Sequence, residues 1–340
     1  MKVLVIKTSS LGDVIHTLPA ITDAVKAIPN IKFDWVVEEG FAEIPTWHPA
    51  VNRVIPVALR RWRKSLWQSL QSSELRAFWQ NLRKEKYDLV IDAQGLYKSA
   101  AIAAMARGSS IGLDKNSARE PGASWFYQHK LAIKKDQHAV ERVRQLFAVA
   151  LGYELGAIID YGISCPHLET LPQAEAREQN YLVFLHGTTW DTKHWPEEYW
   201  YKLIELAVTA GFKVKLPWGS AEEKSRAERL QKAGADVLPK SSLSELAQII
   251  AGAQACAAVD TGLAHLAAAL SVPCISIYGP TNPELTATYA EDQLHLVADF
   301  ACAPCLQRTC NYKGESAVTP ACFVEITPEI VWQRLRQDMI

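Results

Sequence analysis

The sequence predicts an α/β protein of two domains, each a parallel sheet wrapped by helices. Three observations carry that prediction. Short apolar runs bounded by turn residues alternate with longer stretches of helical period, the sign of β-α units. A series of such units occupies each half of the chain. The 340 residues, 49% of them hydrophobic, are enough for two cores of ordinary size.

The elements follow in order. In the first domain, 1–165, strands are expected at 3–6, 33–37, 53–57 and 89–91, with a weaker one at Ile111. Helical period marks 14–28, 74–84, 97–106 and 139–151. The stretch 163–180 carries two prolines, many polar residues and no clear period, which places the interdomain connection there. A second series begins in 180–325, with strands at 182–185, 213–216, 237–238, 255–259 and 274–277. The last segment, 326–340, reads as a capped helix with Thr327 at the N-cap and Pro328 in the first helical position. Sheets of this kind bind ligands beyond the carboxyl ends of their strands.

Composition narrows the partners. A net charge of −1 gives no global drive toward nucleic acid or an acidic membrane, so any such partner is met by a local patch. Four consecutive apolar residues before Lys7 are too few for the apolar region of a secretory signal. The longest uncharged window, 261–283, is cut by Pro273, Gly279 and Pro280 into helix-like and strand-like pieces. The chain therefore reads as cytoplasmic, without a transmembrane segment. Seven cysteines, an odd count, argue for reduced thiols over a disulfide framework.

The first strand runs into KTSSLGDVIHTLPA, where a small polar loop, Thr8 to Gly12, opens a helix with Asp13 at or next to its N-cap. The loop is neither a Walker loop nor a three-glycine dinucleotide fingerprint. A carboxylate in that position caps the helix, or acts as a general base held ionised by the helix N-terminus. His16, one turn on, is placed to tune it.

In the second half, YLVFLHG delivers Thr188 and Thr189 to a loop that carries Lys193 ahead of a helix beginning near Pro196. Two hydroxyls and an ammonium suit a diphosphate, although an ordinary solvated loop has the same composition. ACAAVDTGLAHLAAAL places Asp260, Thr261 and Gly262 between a buried strand and a helix of small residues, with His265 one turn inside. Free N–H groups at such a helix start bind phosphate, and Asp and Thr are also good caps. LPWGSAEEK sets Glu222 and Glu223 just after another strand, where an acid accepts from ribose hydroxyls or complements a helix start. IYGPTNP closes the next strand with a turn suited to border a base or sugar pocket.

ALRRWRKSLW, residues 58–67, sets Arg60, Arg61, Arg63 and Lys64 around Trp62, and Lys98 and Arg119 extend the patch. Such a cluster suits a phosphorylated, acidic or amphiphilic partner, or is a solvated loop. Cys302, Cys305, Cys310 and Cys322 have enough thiolates for a zinc shell, but the spacing differs from paired C-x-x-C knuckles, so thiols are expected ahead of metal.

Taken together, KTSSLGDVIHTLPA, RRWRK, VIDAQGLYKSA, HAVER, HGTTWDTKHWP and VDTGLAHLAAALSVP, in that order over most of the chain, resemble the lipopolysaccharide heptosyltransferases. The resemblance implies a GT-B type fold: two facing Rossmann-like domains, acceptor-binding then donor-binding, with the active site in the cleft between them. It implies transfer of L-glycero-D-manno-heptose from ADP-heptose to a Kdo residue of Kdo-lipid A, with inversion, without metal or other cofactor, at the cytoplasmic face of the inner membrane. By position, Asp13 is the implied base. Thr188, Thr189, Lys193, Glu223, Asp260, Thr261, Gly262 and His265 are implied donor contacts. Ser10, Arg60, Arg61, Arg63, Lys64 and Arg119 are implied acceptor contacts. The four-cysteine segment departs from this pattern: it looks more like the member of the family that acts on the first heptose.

Overall fold

The first strand, β1 (Lys2–Ile6), places Val3, Leu4, Val5 and Ile6 wholly out of water, as a central strand of a parallel sheet requires. In this computed structural model residues 1–65, 72–164 and 180–339 are described; Trp67 and most of the expected connection lie outside them. The chain divides into two compact units, Met1–Cys165 and Pro166–Ile340.

Around β1 the first unit adds β2 (Lys32–Glu38), β3 (Val51–Val57), β4 (Leu89–Asp92), β5 (Ser109–Leu113) and β6 (His129–Leu131). Their spatial order is β3-β2-β1-β4-β5-β6, every pair parallel. On one face Leu4 and Ile6 pack with Phe78, Leu82, Ala100 and Ala103, carried by the helices Ser73–Arg83 and Tyr97–Met105. Elsewhere in the unit Phe33 meets Phe147 of the helix Ala139–Leu151.

The second unit repeats the plan with β7 (Tyr181–Leu185), β8 (Lys213–Leu216), β9 (Asp236–Val237), β10 (Ala255–Val259), β11 (Cys274–Tyr278) and β12 (Gln293–Val297). Their order is β12-β11-β10-β7-β8-β9. Counted within each unit, both sheets have the doubly wound order 3-2-1-4-5-6. That order reverses between β1 and β4, and again between β7 and β10, and the loops leaving these strands are where such sheets bind ligands. The C-terminal helix, Pro328–Asp338, buries Val331 and Leu335 in the second unit's core with Trp200, Leu203 and Phe323, so it belongs to that unit and is not a separate body.

Three local outcomes differ from the sequence expectation. The helix expected over 14–28 is two helices, Leu11–Ile15 and Leu18–Ala27. Pro19 lacks the N–H that would bond the Ile15 carbonyl and crowds that turn, so the chain restarts with the proline in a first turn. The edge strands β6 and β12 were not expected: β6 is three mostly exposed residues and β12 is nowhere fully buried, so neither carries a clear apolar period. Asp13 is the third residue of its helix, with Ser10 at the N-cap. Among the described residues no helix is long and apolar enough to cross a membrane.

Candidate functional site

At the first unit's switch point the loop after β1 is held from the neighbouring β4. Gln94 accepts from the Thr8 and Ser9 backbone N–H groups at 3.0 and 3.1 Å, and buried Asp92 fixes the Gln94 turn by accepting its N–H at 2.8 Å. Tyr127 donates to the other Asp92 oxygen at 2.6 Å. Asp13 reaches back to the N-cap, where its Oδ2 accepts from the Ser10 N–H at 2.7 Å and the Ser10 hydroxyl at 2.9 Å.

The buried Lys7 ammonium, which donates to the Ala93 carbonyl at 2.9 Å, stands 3.7 Å from Asp13 Oδ1. Burial is the largest influence on the Asp13 carboxyl and pushes its pKa up, but Lys7, the two Ser10 bonds and Arg119 together hold it below the ordinary carboxylate value. The side chain is one-third exposed, at 33%, so the carboxylate is open to a ligand. His16 is buried with its ring centroid 5.5 Å from that of His138.

The basic patch divides by what each side chain touches. Arg61 is clamped by Glu39 and Glu74, each at 2.9 Å, and Trp62 packs into the first core against Phe78. The Arg60 guanidinium lies 5.2 Å from the Phe41 ring centre, while its backbone N–H donates to Glu38 at 2.9 Å. Arg63, Lys64 and Arg119 are exposed. Lys98 donates to the Ser9 hydroxyl at 3.4 Å. Burial, then the nearby Arg60 and Arg63, pull the Lys98 ammonium below its usual range against the opposing effect of Glu38. Arg60 and Arg63 are thus within electrostatic reach of Lys98, which touches Ser9, and Arg119 is within electrostatic reach of Asp13.

At the second unit's switch point, β7 and β10 bring their loops together. Thr188 donates its hydroxyl to the Asp260 carbonyl at 3.1 Å, and Lys193 meets Asp260 Oδ2 at 2.6 Å. Thr281, in the turn after β11, donates to the same carboxylate oxygen at 2.7 Å. Thr261 caps the helix Gly262–Ala269 by position, but its side chain makes no capping bond. An uncapped helix start at a sheet's carboxyl edge is suited to an anion. His265 is buried within that helix and Thr189 is exposed.

Glu223 closes a capping box: it accepts from the Ser220 N–H at 3.3 Å while its own N–H donates to the Ser220 hydroxyl at 3.2 Å, and it also accepts from the Gly219 N–H at 2.7 Å. Its carboxylate lies over Gly187 so closely that a Cβ there would stand 2.5 Å from Oε1, so a larger residue at 187 would have to push the carboxylate aside. Glu223 therefore borders Thr188. Glu222 is exposed one residue earlier. Lys7, Gln94 and Thr281 were not singled out as site residues by sequence reasoning. Their signal was their place inside KTSSLG, VIDAQG and IYGPTNP.

The cysteines Cys302, Cys305, Cys310 and Cys322 carry free thiols. Burial first, then the other three cysteines nearby, push the Cys322 thiol up to about 12. Among the described residues no group of three or more His, Cys, Asp or Glu side chains is arranged to hold a metal ion.

Two doubly wound parallel units, each with a polar cluster at its switch point, are the architecture of the GT-B type glycosyltransferases. The chain belongs to glycosyltransferase family 9, the heptosyltransferases, whose family model matches residues 75–315. It is 56% identical to lipopolysaccharide heptosyltransferase 1 of Pseudomonas aeruginosa, over 100% of this chain and 98% of that one. Its structure is similar to that of Escherichia coli heptosyltransferase WaaC with ADP, at a TM-score of 0.87, 48% identity, and coverage of 99% and 100% of the two chains. The same enzyme with ADP-2-deoxy-2-fluoro heptose matches at a TM-score of 0.84 and 48% identity, with 99% of each chain covered.

Proposed function

We propose that this heptosyltransferase moves L-glycero-D-manno-heptose from ADP-heptose to a Kdo residue of Kdo-lipid A, with inversion and without a metal. The observation that carries the reading is Asp13: an ionised, partly open carboxylate at the first unit's switch point, oriented through two bonds to Ser10 and supported by Lys7. It serves as the general base that takes the proton of the attacking acceptor hydroxyl. Its depressed pKa makes it a modest base, matched to proton removal that accompanies bond formation at the anomeric carbon.

The donor belongs to the second unit. Lys193, Thr188, Thr189 and the helix start at Thr261 and Gly262 meet the diphosphate and stabilise the charge that builds on departing ADP. Glu223 accepts from ribose hydroxyls, while Asp260 and His265 shape the site. These positive and dipolar groups perform the task a metal has in other transferases, and the sequence contains no Asp-x-Asp triplet.

The acceptor's phosphates and carboxylates meet Ser10, Arg60, Arg61, Arg63, Lys64 and Arg119; Arg61 must exchange a carboxylate for the ligand to do so. A lipid-bearing acceptor places the enzyme at the cytoplasmic face of the inner membrane. Trp125 and Phe126, 78% and 40% exposed in the segment after Arg119, support that reading. The 56% identity to a heptosyltransferase 1 and the RRWRK and HGTTWDTKHWP motifs favour the first heptose over the second.

The test is incubation with ADP-heptose and Kdo-lipid A, with and without chelator, following heptosylated lipid and released ADP. Equal transfer in both arms is expected. Transfer only to an already heptosylated core would reassign the acceptor, and loss of activity on chelation would overturn the metal-free mechanism.

A further inference from the structure

The Lys193 ammonium is less available than its place in the loop implies. It lies 2.6 Å from Asp260, and both side chains are largely buried, at 15% and 8% exposure. An ammonium that shares its charge with a carboxylate offsets only part of the charge of a diphosphate. Charge balance at the donor site therefore calls for another cation.

One stands on the same indole. Lys193 Nζ is 4.7 Å from the centre of the Trp190 ring, and the Arg308 guanidinium is 5.2 Å from it. The two segments are tied together, because Thr192, 2% exposed, donates its hydroxyl to the Gln307 carbonyl at 2.6 Å. Arg308 is exposed and makes no ion pair among the described residues. Arg226 is unsuitable for the task, since it donates to the His186 carbonyl at 3.3 Å and lies 3.8 Å from Glu197.

We propose that Arg308 is a second cation of the donor site, held by Trp190 and by the Thr192–Gln307 bond where its guanidinium reaches the phosphate oxygens of the nucleoside diphosphate beside Lys193. A planar fork of donors matches phosphate oxygens in pairs, which an ammonium does not. Stacking on Trp190 orders the guanidinium before the ligand arrives, so little side-chain freedom is lost on binding. The inference rests on the reading of the second unit as the donor site.

The experiment measures ADP and adenosine binding to the full-length wild type, Lys193→Ala, Arg308→Ala and Arg308→Lys, together with kcat and KM for the sugar donor. A charged hydrogen bond contributes roughly 1.5–3 kcal/mol, so Arg308→Ala should weaken ADP about ten- to hundredfold. Adenosine affinity should stay unchanged and Arg308→Lys should recover part of the loss. A variant that merely disturbed the loop would weaken both ligands alike and gain nothing from lysine, and that result overturns the proposal. If Lys193→Ala weakens ADP and Arg308→Ala does not, the proposal alone fails. If the wild type binds no ADP, the donor-site reading fails and takes the proposal with it.

Discussion

Replacing Lys193 by alanine separates what this side chain does for the fold from what it does for the reaction. The pair Lys193–Asp260 is 2.6 Å apart with both side chains more than four-fifths buried. At an effective dielectric of about 20 its gross Coulomb attraction is about 6 kcal/mol, most of it offset by the cost of desolvating both ions. Deleting only the lysine leaves Asp260 buried and unpaired, which typically costs roughly 3–5 kcal/mol. Thr281 still donates to the same oxygen at 2.7 Å, so the loss falls near the lower end, about 3 kcal/mol.

Denaturant unfolding of the second unit is the assay, run beside steady-state transfer. Lys193→Ala should lower the unfolding free energy by that amount and kcat by roughly two to three orders of magnitude, as loss of one electrostatic stabiliser of the leaving group does. Adding Asp260→Asn removes the unpaired charge and should return stability to within about 1 kcal/mol of the parent, while transfer stays low. Recovery of activity in the double variant would refute the catalytic role. An unchanged stability in the single variant would refute the buried-pair account.

Asp13→Asn should lower kcat by roughly two to four orders of magnitude and leave ADP affinity intact, checked by calorimetry and single-turnover assays. Lys7→Met removes the strongest support of the Asp13 charge, so burial prevails and the carboxyl pKa rises. With Asp13 as the proposed base, acting as the carboxylate, the acid limb of kcat/KM should move to higher pH; an unmoved limb would separate Lys7 from the base. His48 is buried and neutral: its Nδ1 accepts from the Ala50 N–H at 3.2 Å, its Nε2 lies 3.0 Å from the Thr22 hydroxyl, and burial lowers its pKa to about 4. The unfolded chain binds that proton near 6.5, so the first unit should lose stability as pH falls from 6.5 to about 4, by up to about 3 kcal/mol. His48→Gln should flatten that loss in denaturation curves taken across the window.

The sequence by itself determined the class of fold and which candidate residues lie at the carboxyl edges of the sheets. Apolar runs such as VLVI and ACAAV, bounded by turn residues and alternating with helical stretches, read as central parallel strands buried on both faces, and the loops after them then lie at a sheet's carboxyl edge. Asp13, Lys193 and the Asp260–Gly262 turn were legible for that reason. The edge strands β6 and β12 were not, since a strand with solvent on its flank needs no apolar period.

Only the tertiary structure decided how these residues are used. Lys7 and Asp13 share one helix entrance, but their 3.7 Å approach depends on Ala93, 86 residues away, holding the ammonium. The partners of Asp260, Lys193 and Thr281, come from the loops of two other strands. Arg61 is committed to Glu39 and Glu74 and Trp62 to the core, although both read as members of one surface patch. Periodicity is a local property and records which face of an element is buried. Charge pairing is set by which loops the sheet order brings together, and that order is fixed only when the strands have assembled.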